Sequence, residues 1–270
     1  MRVCFTINCM RNHDDFVSYD KLIKDGLYQA VELFYPYNVN LNQALLYTKE
    51  VTLLVNNNKE LETVLHLPHG GKNDFVNEDG SINESTFNLM INAIDYASLF
   101  HVRKLTLHLG HAWKDMNRKN LLDKVLNQVE KLCEYSNKYG MFVMIENMPR
   151  DTELGYGIEE MKYIMEYLSS KVNNIKFIFD TGHGNCSKDN INSYIDALHE
   201  YLFHLHISDN NGLADEHKAM GLGNIDFKSF FITLNKYKYK ELHCLEILFK
   251  DSNDLINNYK NVNEFNKYYL

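Results

Sequence analysis

KFIFDTGHGN (residues 176–185) opens as an apolar, aromatic-rich run of strand character and closes on an acid, a turn and a histidine. Working outward in both directions, the same grammar recurs. The run at 63–67 leads into LPHG with His69, and the run at 104–109 carries LHLG with His108. The run at 142–146 ends IENMP on Glu146, the run at 203–207 carries HLHISD with His204, His206 and Asp209, and the run at 243–248 contains LEI with Glu246. Six successive strands thus each deliver a His, Asp or Glu at or near the C-terminal end.

A carboxylate or imidazole embedded in an apolar strand is costly unless it is paired or bound to a metal. One such residue is accounted for by a hydrogen bond; six in register need a shared reason. In an open doubly wound sheet these ends would lie in a line, mostly out of mutual reach, whereas a closed barrel brings them around one axis. The pattern therefore predicts an α/β fold: a single (β/α)8 TIM barrel spanning residues 1–270 as one domain, with a divalent-metal site at its C-terminal mouth. Mixed imidazole and carboxylate ligands suit zinc or manganese, with cobalt, iron and magnesium as alternatives, and suit calcium less well.

The rest of the chain agrees. Candidate strands at 3–7 and 30–34 complete a set of eight, each followed by a loop and a helical pattern. After the third strand, Asn83, Glu84 and Ser85 supply a cap and an acidic first turn, and Phe87, Met90, Ile91, Ile94 and Ala97 form an apolar stripe. Similar stripes run through 121–139 and 158–168 and are read as core. Near-continuous apolar strands alternating with such helices indicate a parallel sheet buried on both faces.

Composition narrows the function classes. With 45% hydrophobic and 24% charged residues the chain matches an ordinary soluble protein, and no apolar stretch approaches the roughly 20 residues of a membrane span. MRVCFTIN (1–8) reads at once as a buried strand without a leader pattern, which points to a cytoplasmic protein. Cys4, Cys9, Cys133, Cys186 and Cys244 are odd in number and singly spaced, and are read as reduced thiols. A net charge of −8 and a pI near 5.8 argue against a generally basic nucleic-acid surface.

These motifs resemble the xylose-isomerase-like barrel superfamily over essentially the whole chain. That superfamily contains sugar and sugar-phosphate isomerases and epimerases together with the endonuclease IV repair enzymes. In the isomerase and epimerase branch the metal is held by a Glu, an Asp, a His and a Glu from strands five to eight, which match Glu146, Asp180, His206 and Glu246. The endonuclease branch binds three zinc ions and adds positions that match His69, His108, His183, Asp215 and His217. The text of IENMP, FDTGHGN and HISDNNGLADEHKAMGLGNIDF resembles the isomerase-like members more closely. The Gly-Gln-Gly run that follows the strand-five Glu in the repair enzymes is missing, as is their Ser-His pair after the strand-four His.

The resemblance implies a divalent-metal-dependent sugar or sugar-phosphate isomerase or epimerase working through a metal-stabilised enediolate. Glu146 and Glu246 double as ligands and acid/base groups, and His183 steadies the enediolate oxygen. The alternative is an endonuclease IV-like zinc phosphodiesterase acting on abasic-site DNA, for which the polar, partly acidic loop HGGKNDFVNEDGS (69–81) is poorly suited. The implied partner is a small sugar or sugar phosphate, rather than nucleic acid or membrane; a homo-oligomer is left open.

Other residues receive narrower readings. His183 is a substrate or supporting residue, or a ligand of a second metal. His69 and His108 are hydrogen-bonded mouth histidines or ligands of an outer metal. His204, two residues before His206, sits one layer deeper as a structural histidine. His13, His101, His199 and His243 receive no function. Arg150, Trp113 and Lys218, on mouth loops, are candidates for substrate binding, and Tyr156 is a candidate for an apolar wall. Gly221 and Gly223 are turn glycines, and the stretch Asn224-Ile225-Asp226 offers a cap for a helix over 227–237.

Overall fold

Apolar residues on both faces of a strand can be satisfied only where something covers each face, and here a ring of helices and the barrel interior do so. The structure, a computed structural model, describes residues 1–9 and 15–268; His13 lies outside the described residues. The strands are β1 (Arg2–Ile7), β2 (Ala30–Phe34), β3 (Glu62–His66), β4 (Lys104–Leu107), β5 (Phe142–Glu146), β6 (Ile175–Asp180), β7 (Leu202–Ile207) and β8 (Leu242–Leu245). They pair in chain order, all parallel, and β1 closes on β8 with Cys4 opposite Cys244. This is the closed eight-stranded barrel expected from the strand ends.

Around it lie α1 (Phe16–Lys24), α2 (Leu41–Asn57), α3 (Glu84–Ser98), α4 (Arg118–Asn137), α5 (Ile158–Ser169), α6 (Thr181–Cys186), α7 (Ile191–Leu198), α8 (Phe227–Lys236) and α9 (Ser252–Glu264), then a 3-10 turn, Phe265–Tyr268. The caps follow the sequence. Asn83 accepts the Thr86 backbone N–H at 3.2 Å to start α3, and Asp226 accepts that of Ser229 at 3.0 Å to start α8. In α3, Met90, Ala93, Ile94 and Ala97 are buried against the barrel, while Phe87 and Ile91 pack at its margin. No helix among the described residues is long and apolar enough to cross a membrane.

Two strands end sooner than the apolar runs suggest. β4 stops at Leu107 because Gly110, at φ +96°, turns the chain so that its carbonyl accepts the Leu154 N–H at 2.9 Å. β8 stops at Leu245 because the Leu248 N–H bonds to the His217 carbonyl at 2.9 Å, in the loop after β7. His108 and Glu246 therefore stand just beyond strand ends. In addition, β6 is followed by two helices, α6 and α7, where one was expected.

Because side chains two apart along a strand share a face, the barrel interior is layered. Cys4, Ala30, Val64, Met144, Ile178, Leu242 and Cys244 form a buried apolar cluster, with Phe203 packed against it. Toward the N-terminal end the buried Lys104 ammonium meets Glu62 at 3.0 Å and Glu241 at 2.9 Å and lies over the Phe203 ring. Toward the C-terminal end the interior turns polar.

Candidate metal centre

His206, on β7, is fully buried and bonded on both sides of its ring. Its Nε2 lies 2.8 Å from Glu32 Oε2. Its Nδ1 lies 2.9 Å from Glu246 Oε2, 3.2 Å from Glu146 Oε1 and 3.9 Å from Asp180 Oδ2. One ligand atom from each of Glu146, Asp180, His206 and Glu246 falls within 4.8 Å of the others. The barrel thus brings together the four residues that the sequence set apart.

Asp180 ends β6 and caps α6. Its Oδ1 accepts the His183 backbone N–H at 2.6 Å, and its backbone N–H bonds to Asn147 Oδ1 at 2.8 Å. Its Oδ2 is buried and has no hydrogen-bond partner. A buried carboxylate oxygen without a donor costs several kcal/mol unless a cation meets it.

Three more imidazoles rim this quartet. Glu146 Oε2 lies 3.0 Å from His108 Nε2 and 3.7 Å from His66 Nε2, and the His69 ring packs on those of His66 and His108 with both centroids 4.5 Å away. On the opposite side Asp215 Oδ2 sits between His217 Nε2 at 2.9 Å and His183 Nε2 at 3.3 Å. His183 Nδ1 meets the Asn147 carbonyl at 2.8 Å, and His217 Nδ1 meets that of Glu246 at 2.9 Å.

The loop carrying Asp215 and His217 is pinned from below by Asp209. Its Oδ2 accepts the N–H groups of Gly221 and Gly223, both at 2.9 Å, and its Oδ1 accepts that of Ile225 at 3.3 Å and its neighbour Asn210's at 2.9 Å. Gly223 is required by close approach: a Cβ there would lie 2.2 Å from both the Asn210 carbonyl oxygen and Asp209 Oδ1. The loop after β5 is held from the side. Arg118, the first residue of α4, donates to the carbonyls of Asp151 and Glu153, both at 2.6 Å, and pairs with Glu160.

Above the quartet opens a cavity of about 270 Å³. His69, His108, His183, Asp215, His217, Glu246 and Arg150 line it, so these candidates share one space. Glu146, Asp180 and His206 lie beneath it. Trp113 and Lys218 are absent from the lining: the Trp113 indole donates to the Val76 carbonyl at 2.8 Å and stacks on His111, and Lys218 pairs with Glu216 at 2.8 Å. Tyr156 likewise stands outside it, near the Lys188 ammonium. His111 does line the cavity, its Nδ1 2.8 Å from Asp74 Oδ2.

The electrostatics are those of a packed carboxylate and imidazole array. Burial opposes ionisation of Glu146, yet His206 and His108 hold it well below the usual carboxylate range. Burial likewise opposes ionisation of Glu246, which His206 and His217 bring down. Asp180 goes the other way, pushed up to about 7 by burial and by the charges of Glu146 and Glu246. Burial lowers His206, but Glu246, Glu32 and Glu146 raise it well above its ordinary value. His217 rises to about 9, against its burial, through Asp215 and Glu246. His69 is held well below its ordinary value by burial and by His108 and His66.

A divalent ion fits this donor set. It would meet the orphaned Asp180 oxygen and draw on three carboxylates converging with the His206 Nδ1 lone pair. Without it, a proton on Nδ1 performs the same neutralising role, so ion binding releases protons.

Four residues of the site, Glu32, His66, Asp74 and His111, are not singled out in the sequence. Glu32 and His66 interrupt the apolar runs AVELF and ETVLH, and the cost of a buried charge that picked out Glu146 applies equally to them. Asp74 carries no such signal, because its partner His111 is supplied by a different loop.

The sequence matches the model of a family described as xylose isomerase-like TIM barrel over residues 21–261. An uncharacterized protein of Methanocaldococcus jannaschii is 27% identical over 194 residues, which is 69% of this chain. The matches span 64% and 66% of the length of the curated relatives, slightly under two thirds. Among solved structures, a D-tagatose 3-epimerase-like protein superposes with a TM-score of 0.79 at 22% identity, covering 100% of this chain and 98% of that one. A D-psicose 3-epimerase from Clostridium cellulolyticum H10, solved with D-tagatose, gives 0.75 at 15% identity over 100% and 99%. At these identities the likeness is one of fold.

Proposed function

The chain belongs to the xylose isomerase-like TIM barrel family, and from that premise and the geometry of the quartet we propose that it is a divalent-metal-dependent sugar or sugar-phosphate epimerase or isomerase. The observation that carries this reading is the unpartnered, buried Asp180 Oδ2 facing His206 Nδ1, with Glu146 and Glu246 on either side. The sugar 3-epimerases among the solved structures of the same fold support the substrate class.

Glu146, Asp180, His206 and Glu246 would hold the ion, zinc or manganese in the first instance. When bound, it polarises a substrate carbonyl and makes the neighbouring C–H acidic. Glu246 borders the cavity and is ionised, so it is placed to take that proton and leave an enediolate. Glu146, ionised beneath the cavity floor with His108 at its Oε2, is the acid/base group for the second transfer. Epimerisation follows when Glu146, having taken up a solvent proton relayed through His108, delivers it to the opposite face of the same carbon and Glu246 releases to solvent the proton it took; return of a proton from Glu246 to the adjacent carbon gives isomerisation. His183 is held protonated against Asp180, Asp215 and Glu146 despite its burial, and steadies the developing oxyanion from the cavity wall. Arg150, the cavity's arginine, is the residue for an acidic substituent or a distal hydroxyl.

A second reading rests on the outer groups. His69, His108, His183, Asp215 and His217 surround the same cavity and would complete two further ion sites, as a zinc phosphodiesterase requires. One experiment separates the two: elemental analysis of wild type and of the His69→Ala, His217→Ala double variant, followed by a ketose and aldose panel in deuterated water. One ion per chain that survives the double change, with deuterium entering a recovered sugar, is the expected result. Two or three zinc ions, the excess lost in the variant, with cleavage of abasic-site DNA and no sugar turnover, would transfer the assignment to phosphoester hydrolysis.

A further inference from the structure

We propose that Glu32, on β2, is the positioning residue of the metal centre: it fixes the ring orientation and tautomer of His206 and so sets the affinity for the ion. The inference rests on the metal-centre reading above. Glu32 is fully buried, on the opposite side of the His206 ring from the quartet. Its Oε2 receives His206 Nε2 at 2.8 Å and His204 Nε2 at 3.0 Å, and its Oε1 receives the Thr106 hydroxyl at 2.8 Å.

A carboxylate only accepts, so both imidazoles carry a proton on Nε2. For His206 that leaves Nδ1 as the nitrogen able to present a lone pair, and it faces Glu146, Asp180 and Glu246. The negative charge behind the ring also makes Nδ1 a stronger donor, as a carboxylate behind a metal-bound histidine does. Thr106 and His204 in turn hold Glu32, so β4 and β7 together with β2 define the position of one ligand atom.

The same atoms suggest a rival, because Glu32, His204, His206 and Cys244 also converge within 4.8 Å. A second, deeper ion on the Glu32 side of His206 would need that ring's Nε2 stripped of its proton. Glu32 already satisfies Nε2 of both histidines as hydrogen bonds, and the atoms left without a partner at that level, His204 Nδ1 and Thr6 Oγ1, belong to neutral groups and not, like Asp180 Oδ2, to a carboxylate that calls for a cation. We therefore assign the lower group to support and the upper group to the ion.

The test is the dissociation constant for Zn²⁺ and Mn²⁺, read by competition with a chromophoric chelator, together with ions per chain and the thermal midpoint of the metal-free protein. Glu32→Gln keeps the shape and an accepting oxygen but removes the charge; it is expected to weaken both ions by about 10- to 100-fold while the metal-free midpoint stays near wild type. Thr106→Val, which frees one side of Glu32, is expected to weaken binding by a smaller factor, and it serves if the Gln variant does not fold. Cys244→Ser is expected to leave affinity and stoichiometry unchanged.

Wild-type affinity in folded Glu32→Gln, or in Thr106→Val if that is the variant that folds, would overturn the positioning role and leave the quartet standing. Loss of one of two ions in Glu32→Gln and Cys244→Ser alike would assign Glu32 to a deeper site instead. No ion in wild type would overturn both this inference and the metal-centre reading.

Discussion

Asp180 gives one carboxylate oxygen to the backbone N–H of His183, at 2.6 Å, and leaves the other buried without a partner. The two oxygens thus have separate tasks: one starts α6 and fixes the direction of His183, and the other faces His206 Nδ1 at 3.9 Å. An amide can perform the first task but performs the second poorly.

Asp180→Asn is therefore expected to fold and to lose its ion on dialysis. In metal-free protein it should also change the pH dependence of stability. The folded state keeps the Asp180 proton up to about pH 7, whereas the unfolded chain releases it near 3.8. Its contribution is thus fully present below about pH 4 and is lost as the pH rises through about 7. Denaturation of metal-free protein from pH 4 to 8 should show a decline that the Asn variant flattens; an unchanged profile would contradict the environment assigned to Asp180.

Glu246 borders the cavity and Glu146 lies beneath it, so the two acids are not equivalent. Glu246→Gln should lower kcat by about 10²- to 10⁴-fold, the range of general acid–base catalysis, and stop solvent deuterium entering recovered substrate. Glu146→Gln also takes from His108 the carboxylate at its Nε2, so it should weaken ion binding more than Glu246→Gln does. Equal chelator-competition constants for the two variants would refute that asymmetry.

Asp209 accepts four backbone N–H groups, all within the loop between β7 and α8 and three of them from beyond His217. Asp209→Ala should cost on the order of 2 kcal/mol in urea denaturation, since four backbone donors, three of them partly buried, lose their carboxylate acceptor. Limited proteolysis should then cut within 211–223 before it cuts elsewhere. Gly223→Ala should act similarly, because its Cβ would enter the space of Asp209 Oδ1.

His243 stands at the other end of the barrel, buried between Phe231 and Tyr239. Burial, with the N-terminal amine and His204 nearby, depresses it from 6.5 to about 3. Its neutral form supports the fold above about pH 6.5, and that support is lost as the pH falls through about 3. His243→Phe, which cannot take up a proton, should show a shallower fall in melting temperature between pH 6.5 and 4 than wild type.

How much of this was visible beforehand depended on whether a residue's oddity is local. Glu146, Asp180, His206 and Glu246 interrupt or end apolar runs, and their expense in a strand is evident without knowing any neighbour. The eight-fold alternation did the same for the barrel. Glu32 and His66 carry the same signal, but neither stands where an apolar run stops: Glu32 is the middle residue of AVELF, and His66 is followed by Leu67 in the run at 63–67. Trp113 and Lys218 were placed on the right loops, yet each found a partner among the loops themselves: Val76 and His111 for the one, Glu216 for the other. Such destinations are set by how loops from different strands fold over each other, which no single segment encodes. The early ends of β4 and β8 have the same origin, since the bonds that divert the chain come from Leu154 and His217.

Arg118 grips the loop after β5 through the carbonyl oxygens of Asp151 and Glu153 and anchors itself on Glu160. Every residue type offers a carbonyl oxygen, so the clamp is indifferent to which side chains stand at 150–153. The rim beside Arg150 can therefore exchange one side chain for another without losing its course. Selection for a different substrate can act there while the carboxylate and histidine floor beneath remains untouched.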